Sequence, residues 1–189
     1  KLGPPRKATA VAAAAEKKPE VSICVLPFAN MSGDPEQEYF SDGITEDIIT
    51  DLGKVSALSI VSRNMAFSFK GAKGGVGEIG RQTKAAYVLV GSVRKSGQRV
   101  RITAQLVDAR TDAQLWADKF HGALEDVFEI QERLSRQIVD ALRLRLTPTE
   151  DRRLAQRPIG DLRAYEYYLL ARQEIWSFNT QSLDHALQQ

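Results

Sequence analysis

Carboxylates crowd one short part of the sequence, between residues 34 and 51. They are Asp34, Glu36, Glu38, Asp42, Glu46, Asp47 and Asp51. Such a cluster could bind a cation, but its spacing matches no calcium-binding loop. Asp42, Glu46 and Asp47 also lie near the start of a predicted helix, where the helix dipole favours negative charge without a metal. The pattern therefore favours a solvated acidic surface over a metal site.

Basic residues are concentrated on a predicted pair of strands, at Arg94, Lys95, Arg99 and Arg101. They could bind phosphate, but a strand with one face in water carries such side chains routinely. No aromatic residues alternate with them to stack on bases, and the net charge is only +2. We therefore expect protein partners, including self-association, and no nucleic acid. The predicted contact surface combines Asp34, Glu36, Glu38, Asp42, Arg94, Arg99 and Arg101.

Two nucleotide-binding patterns overlap in one glycine-rich stretch. Residues 75–80 (GVGEIG) match the dinucleotide-binding fingerprint, but about ten loop residues separate them from a strand ending at Arg63, whereas the fingerprint follows its strand directly. The stretch from Lys73 also resembles part of a P-loop, yet Glu78 occupies the lysine position and Ile79 the hydroxyl position. Because an acidic side chain repels phosphate, the sequence predicts no nucleotide or other cofactor here.

Residues suited to covalent or metal-assisted catalysis are scarce. Cys24 is the only cysteine and lies in an apolar run, where a thiol is unreactive and serves packing. The two histidines, His121 and His185, lie far from it in sequence, which argues against zinc. No serine stands in a nucleophile elbow. The sequence predicts no catalytic residues in this segment, and its cysteine usage fits a reducing, cytoplasmic location.

The first half of the chain predicts a strand, helix, strand unit. The apolar run at 21–28 (VSICVLPF) is typical of a strand covered on both faces. A loop at 29–40 follows, and Ser41 is predicted to cap a helix that runs to Leu52. Residues 57–63 (ALSIVSR) predict the second strand.

The next part of the chain predicts a hairpin framed by helices. The predicted elements are a loop at 64–75, a helix at 76–84, hairpin strands at 86–95 and 98–108 around a Ser96-Gly97 turn, a strand at 114–120 and a helix at 124–146. The last helix carries one apolar stripe and should lie across the sheet. Together the elements predict a mixed α/β fold with about five strands and two to three packed helices.

Composition divides the chain into four parts. They are a flexible linker at 1–20, the α/β domain at 21–146, a hinge at 147–160 and a helical region at 161–189 with a break at 177–180. The linker is rich in Pro, Ala and Lys and has too few large apolar residues to fold. No stretch reaches the ~20 apolar residues of a membrane-spanning helix. The apolar fraction of 43% and charged fraction of 26% are those of a globular protein.

One long motif resembles a known family. Residues 23–44 (ICVLPFANMSGDPEQEYFSDGI) closely resemble the opening of the TolB-like domain found in many proteobacterial regulators. Other stretches similar to that family are 87–94 (YVLVGSVR), 100–108 (VRITAQLVD), 115–117 (LWA) and 126–128 (DVF). The segment after Asp161 looks like the entry to a tetratricopeptide array, which commonly follows this domain.

The resemblance implies a fold like that of the amino-terminal domain of the periplasmic protein TolB. In the family, the domain is joined on its amino-terminal side to a class III adenylate or guanylate cyclase domain, or to a winged-helix DNA-binding domain. We therefore expect a non-catalytic regulatory and protein-interaction domain of a multidomain bacterial signalling protein, with a nucleotide cyclase as the favoured parent. Two alternatives stay open: the regulatory part of a winged-helix transcriptional regulator, and a ligand sensor using the 30–40 loop or the glycine-rich loop.

Overall fold

The computed structural model describes residues 21–72, 74–156 and 159–186, with the backbone alone for 176–186. The predicted linker at 1–20 lies outside the described residues, as do Lys73 and the last three residues of the chain. Everything below concerns the described part of the chain.

A six-stranded mixed sheet forms the centre of the fold. Its strands are β1 (Val21–Val25), β2 (Ala29–Asn30), β3 (Leu58–Ile60), β4 (Tyr87–Ser96), β5 (Arg99–Asp108) and β6 (Ala113–Ala123). The order is β3-β1-β4-β5-β6, and the short β2 pairs with the far end of β4. Strands β3, β1 and β4 run parallel, whereas β4, β5 and β6 are antiparallel. The predicted mixed α/β fold is confirmed.

The described residues also form six α-helices and two short 3-10 turns, of which α1, α2, α3 and the first 3-10 turn lie between strands and the others follow β6. The helices are α1 (Glu38–Leu52), α2 (Arg63–Phe67), α3 (Val76–Thr83), α4 (Val127–Ala141), α5 (Pro148–Leu154) and α6 (Leu162–Ala186). The 3-10 turns are Pro35–Gln37, directly before α1, and Leu124–Asp126, directly before α4.

The main core lies between one face of the sheet and the helices α1 and α4. Along β5 the residues alternate, so that Ile102 and Leu106 are fully buried while Arg99 and Arg101 are exposed. This alternation confirms the predicted half-buried strand and follows from the two-residue period of a strand. The helices contribute apolar side chains from the stripe facing the sheet, among them Ile44, Ile48, Leu52, Ile130, Leu134 and Ile138.

The opposite face of the sheet carries a smaller core beside β1 and β4. Cys24 and Val88 point to this face and pack with Ala66 of α2 and Ile79 of α3. The predicted continuous apolar run of the first strand is explained by this arrangement, because Ile23 and Val25 meet the main core while Cys24 meets the smaller one.

The start of α1 differs from the prediction. The helix begins at Glu38, and Ser41 lies buried inside it instead of capping it. The cap belongs to Asp34, whose side chain accepts a hydrogen bond from the Glu36 N–H at 2.9 Å at the start of the Pro35–Gln37 turn. That turn continues into α1 without a further cap, so the helix starts earlier than the Ser41 signal indicated. Within the predicted loop, β2 pairs with β4.

Two local predictions for the next segment were also wrong. Residues 64–75 contain helix α2, which starts after Ser62 because the Ser62 hydroxyl accepts from the Met65 N–H at 3.4 Å. The hairpin turn lies one residue later than predicted, since Ser96 pairs with Arg99 and leaves Gly97-Gln98 as the turn. Gly97 has a φ of 56°, which suits the first position of a primed turn.

The long predicted helix at 124–146 is shorter in the structure. Helix α4 ends at Ala141, and Arg143 adopts a left-handed φ of 55°, which lets the Leu144 N–H reach the Val139 carbonyl at 3.1 Å. No glycine or proline marks this end, so the sequence pattern did not show it. The following segment, predicted as a hinge, contains α5, whose Thr147 and Glu150 form a capping box.

Helix α6 is continuous. The predicted break at 177–180 is absent, because the helix runs unbroken from Leu162 to Ala186. Neither this helix nor any other described one has both the length and the apolar character that crossing a bilayer requires.

Candidate functional site

Helix α6 is docked against α1 through a glycine. The Leu169 side chain of α6 is 2% exposed and lies where a side chain at Gly43 of α1 would be, since a Cβ built on Gly43 would sit 2.4 Å from Leu169 Cδ2. A second link joins α6 to the sheet, where Lys95 of β4 donates to Glu166 Oε1 at 2.6 Å. We call the contact between α1 and α6 around Gly43 and Leu169 the α1–α6 junction.

A buried hydrogen-bonded triad fixes the same junction. The Tyr165 hydroxyl of α6 donates to Asp47 Oδ2 of α1 at 2.5 Å, and Gln131 of α4 donates to the same oxygen at 2.9 Å. Gln131 also lies 3.0 Å from the Tyr165 hydroxyl oxygen. Because Tyr165 and Gln131 are almost fully buried, these bonds satisfy polar groups that water cannot reach. The triad therefore ties three helices together at one carboxylate.

Burial dominates the electrostatics of Asp47. It raises the pKa of this carboxyl from 3.8 to about 6, against the hydrogen bonds from Tyr165 and Gln131 that lower it. The pKa of Tyr165 is raised well above 10.0, first by burial and then by the negative charge of Asp47. Asp47 thus carries an incompletely compensated charge near neutral pH.

An ion-pair network surrounds the triad. Arg172 of α6 pairs with Glu46, and its other terminal nitrogen lies 3.7 Å from Asp47 Oδ1. Glu46 also pairs with Arg63 of α2 at 2.7 Å. Arg172 lies over the Tyr168 ring, 5.0 Å from its centroid. Both carboxylates were predicted to belong to a solvated acidic face, but Glu46 is buried and the fold uses Glu46 and Asp47 to hold neighbouring helices.

A cavity of about 260 Å³ opens beside the triad. Its walls come from α1, α4, α5 and α6 and the segment before α6. The lining residues are Asp47, Thr50, Asp51, Lys54, Phe128, Gln131, Glu132, Leu154, Gln156, Ile159, Tyr165, Tyr168 and Arg172. The Phe128 and Tyr165 rings meet edge to face with centroids 4.8 Å apart. The cavity is therefore partly aromatic and partly charged.

The predicted acidic contact residues do not form one free surface. Asp34 caps the turn before α1, and Glu38 and Asp42 both hold Lys70, at 2.7 and 2.6 Å. Burial raises the pKa of Asp42 and outweighs the lowering effect of Lys70. Glu36 is exposed. Three of these four residues therefore have structural contacts in addition to any partner role.

The predicted basic contact residues lie together. Arg94 and Arg101 are cross-strand partners, and His121 of β6 stands opposite Arg101. With Arg99 they line a shallow groove at the turn end of the sheet. Arg94 donates to the Met31 carbonyl at 2.8 Å, whereas Arg99 and Arg101 form no ion pair within the described residues. The structure brings all three arginines to one exposed face, away from the cavity at the α1–α6 junction.

The other candidates for chemistry serve the fold. Cys24 is fully buried, and burial raises the pKa of its thiol to about 11, with a smaller opposing effect of a Thr83 hydrogen bond. Its expected packing role is confirmed. The glycines of the fingerprint lie at the start of α3 and within it, where Gly80 packs against Ala109, the residue directly after β5. His121 is exposed. Within the described residues, no group of three or more His, Cys, Asp or Glu side chains could hold a metal ion.

The junction residues outside α1 escaped the sequence reasoning. Tyr165 and Leu169 were assigned to a separate helical unit, and Gln131 and Arg172 carried no motif. The available signal was Gly43 inside a predicted helix, because a glycine there lowers helix stability unless something packs on it.

The fold and the α1–α6 junction define the class of protein: it is an α/β domain followed in sequence by a helix that packs against it. Residues 19–140 match the family model described as the second domain of HilA/YgeH-like transcriptional regulators. Because this match covers more than half of the chain, the chain belongs to that family.

A curated relative extends the match beyond the family model. The chain is 48% identical over 173 residues to a Rhizobium meliloti (strain 1021) protein named "Putative adenylate cyclase 3". The match covers 89% of this chain and 30% of the relative, so the chain spans less than a third of that protein's length.

Solved structures are similar to this chain at low sequence identity. TolB from Acinetobacter baumannii matches with a TM-score of 0.51 and 18% identity over 68% of this chain and 30% of that chain. The LpoB carboxy-terminal domain from Salmonella enterica has a TM-score of 0.45 and 18% identity over 58% of this chain and 87% of that chain. The TolB match confirms the fold that the sequence resemblance implied.

Proposed function

We propose that this chain is a non-catalytic regulatory and protein-interaction domain of a cytoplasmic bacterial signalling protein, with a class III adenylate cyclase as the favoured whole. The 48% identity to a protein named as an adenylate cyclase supports the cyclase. The match covers only 30% of that protein, which supports the proposal that this chain is one domain of a larger protein. The domain receives or transmits a signal through its helices and does no chemistry itself.

The observation that carries a regulatory role is the seating of Leu169 on Gly43. A rigid helix that leaves a domain through a buried contact transmits small displacements, because packed interfaces shift between discrete arrangements instead of deforming continuously. The Asp47 triad adds polar contacts with strict geometry at the same place. Movement of α1 therefore changes the position of α6, and movement of α6 changes α1.

The natural full-length protein provides the test. Its rate of cAMP formation from ATP should change severalfold when Leu169→Ala loosens the junction. Tyr167→Ala is the matched control, because Tyr167 lies on the same helix and is 73% exposed. No cAMP formation by the wild type contradicts the cyclase, and equal rates in the wild type and Leu169→Ala contradict regulation through the junction.

A transcriptional regulator is the second candidate, favoured by the family to which residues 19–140 belong. In that case a DNA-binding domain takes the place of the cyclase. The same full-length protein would retard double-stranded DNA in a gel-shift assay and form no cAMP. The two activities thus separate the candidates in one preparation.

The partner surface is proposed to be the basic end of the sheet, at Arg94, Arg99 and Arg101. Charge reversal at Arg99 and Arg101 should leave the melting temperature unchanged, because both side chains are exposed. It should weaken self-association or binding to a purified partner, measured by light scattering after size exclusion. Unchanged association would exclude this surface.

The tetratricopeptide continuation is also a proposal. Helix α6 is its proposed entry, and any sequence that follows residue 189 in the natural gene should then repeat with a period of about 34 residues. A following sequence without that period contradicts it.

A further inference from the structure

The cavity at the α1–α6 junction has the make-up of a ligand site. Ligand sites are concave, mostly apolar and aromatic, and contain a few fixed polar groups. Here Phe128, Tyr165 and Leu154 supply the apolar wall. Tyr165 and Gln131 are fixed polar groups, since both are almost fully buried and bonded to Asp47.

The charges in the cavity favour a positive ligand. Three carboxylates line it, those of Asp47, Asp51 and Glu132, against the two cations of Lys54 and Arg172. Lys54 and Asp51 already pair with each other at 2.6 Å, and Lys54 also donates to the Arg153 carbonyl at 3.1 Å. Glu132 pairs with Arg136 at 3.0 Å, so the charge that a ligand can still meet is that of Asp47. Arg172 pairs with Glu46 and approaches Asp47 only to 3.7 Å.

The aromatic rings favour a positive ligand as well. Tyr168 is 43% exposed and lines the cavity together with Phe128 and Tyr165. Its ring already attracts one cation, the Arg172 guanidinium, 5.0 Å from its centroid. Aromatic faces attract organic cations through their quadrupoles, most strongly where water is partly excluded. An anion would meet the same rings and an excess of carboxylates, which disfavours it.

The geometry points to a binding site for a small organic cation, a primary amine with an aromatic body, in the cavity between α1, α4, α5 and α6. The ammonium lies toward Asp47 and the aromatic body lies against Phe128 and Tyr168. Because a bound ligand contacts both α1 and α6, it stabilises the docked position of α6. In this last respect the inference rests on the proposed function, whereas binding itself does not.

Titration of Asp47 gives binding a pH dependence. Burial raises its pKa to about 6, so the carboxylate is protonated in more acidic solution and no longer attracts the ammonium. The charged and titratable groups that face it are Asp51, Lys54, Glu132, Tyr165, Tyr168 and Arg172. Affinity for an amine should therefore fall as the pH drops through about 6.

The test is isothermal titration of the 189-residue chain with three probes of the same aromatic body. Tyramine carries an ammonium, 4-ethylphenol is neutral, and 4-hydroxyphenylacetate is anionic. We expect tyramine to bind at least about tenfold more tightly than either other probe, a difference of about 1.4 kcal/mol. Equal or tighter binding of the anionic probe, or no binding of tyramine, overturns the inference.

Two variants locate the site. Thr50→Trp places a large side chain at the cavity wall from an exposed position of α1 and should abolish tyramine binding. Thr111→Trp makes the same change in the exposed β5–β6 turn, outside the lining, and should leave binding unchanged. Asp47→Asn should weaken tyramine binding and remove its pH dependence.

Each failure has its own meaning. If Thr50→Trp binds tyramine like the wild type, the ligand lies elsewhere and the inference is wrong. If Asp47→Asn does not fold, the Thr50→Trp result still decides, because Thr50 is exposed and its hydroxyl donates to the carbonyl of Glu46 on its own helix. Since titration measures no cyclase or DNA-binding activity, a negative result here leaves the proposed function standing, and loss of the proposed function leaves a positive result standing.

Discussion

At the scale of single residues, Asp47 decides most of what is particular about this domain. It is one of seven carboxylates between residues 34 and 51, and its neighbours in sequence look equivalent. In the structure it alone accepts bonds from both Tyr165 and Gln131. Burying this carboxylate costs stability through desolvation, and its hydrogen bonds to Tyr165 and Gln131 offset part of that cost.

Asp47→Asn should change how stability depends on pH. A folded-state pKa raised from 3.8 to about 6 means that the native state holds the proton more tightly than the unfolded chain does. In the wild type, this residue's contribution to the free energy of unfolding falls as the pH rises from about 4 to 6, by on the order of 2 kcal/mol. The Asn side chain does not titrate. Urea unfolding of both proteins at several pH values gives the free energy of unfolding of Asp47→Asn minus that of the wild type. This difference should rise with pH over that window, and a flat difference would contradict the raised pKa.

Tyr165→Phe should destabilise the domain by about 1 to 3 kcal/mol, because it leaves a buried carboxylate with one donor fewer. Tyr167→Phe on the same helix is the control, since its ring is 73% exposed and its variant should match the wild type. Thermal unfolding of both variants measures the difference. Equal melting temperatures for Tyr165→Phe and the wild type would mean that the triad contributes nothing.

At the scale of elements, the important contacts lie between helices that are distant in sequence. Helix α6 reaches α1 across more than a hundred residues, and α5 reaches the segment after α1 through Glu150, which accepts from the Ser56 N–H at 2.7 Å. The strands form the frame, but the helices set the geometry of the junction.

The effect of Gly43→Ala on stability should change sign when Leu169 is also replaced by Ala. Gly43→Ala alone should destabilise by about 1 to 3 kcal/mol, because its Cβ would overlap Leu169. Leu169→Ala alone should cost about 2 to 5 kcal/mol through the cavity it leaves.

In the Leu169→Ala background, Gly43→Ala should instead stabilise by roughly 0.5 to 1 kcal/mol, as Ala does in an open helix position. Denaturant unfolding of the four proteins completes the double-mutant cycle. Additive effects would show that the two residues are not in contact.

Glu150→Gln should weaken the contact between α5 and the segment after α1. Burial opposes ionisation of Glu150, but hydrogen bonds from the backbone of Ser56 and Thr147 lower its pKa from 4.5 to about 2. This stabilisation is present above about pH 4.5 and is lost as the pH falls toward 2. The variant should be less stable by about 1 to 3 kcal/mol at pH 7, and the gap to the wild type should close in acid. A gap that is constant with pH would argue against the charged hydrogen bonds.

At the scale of the whole molecule, the sheet and its two core clusters form one unit on which α6 is docked. The division into a domain at 21–146, a hinge at 147–160 and a helical region at 161–189 stays a prediction. Helix α5 and its buried Leu154 lie within the segment predicted as a hinge.

Truncation after residue 160 examines this division. The shortened chain should still unfold cooperatively, because the main core is built from the sheet, α1 and α4. It should be less stable by about 2 to 5 kcal/mol, since it loses the buried Tyr165 and Leu169. Chemical unfolding followed by circular dichroism measures both properties. A chain that does not fold would make α6 part of the domain itself.

The strands, the main helices and the fold class could be predicted from the sequence, because apolar periodicity and glycine turns are local signals. Alternation along β5 identified its buried face, and the motif at 23–44 pointed to a family fold that the structure shares. Local signals failed at helix ends. The left-handed Arg143 and the early start of α1 involve short-range hydrogen bonds, from the Leu144 N–H to the Val139 carbonyl and from the Glu36 N–H to Asp34, at positions that no glycine or Ser41 signal marked.

The acidic composition of helix α1 and the alternation that leaves one face of the hairpin in water were determined by the sequence alone, since each depends on residues adjacent along the chain. Only the tertiary structure decided which carboxylate is buried, why Gly43 has no side chain and where a cavity opens. These depend on α4, α5 and α6 approaching α1. The physical reason is that burial and desolvation are set by neighbours in space, which no spacing along the chain specifies.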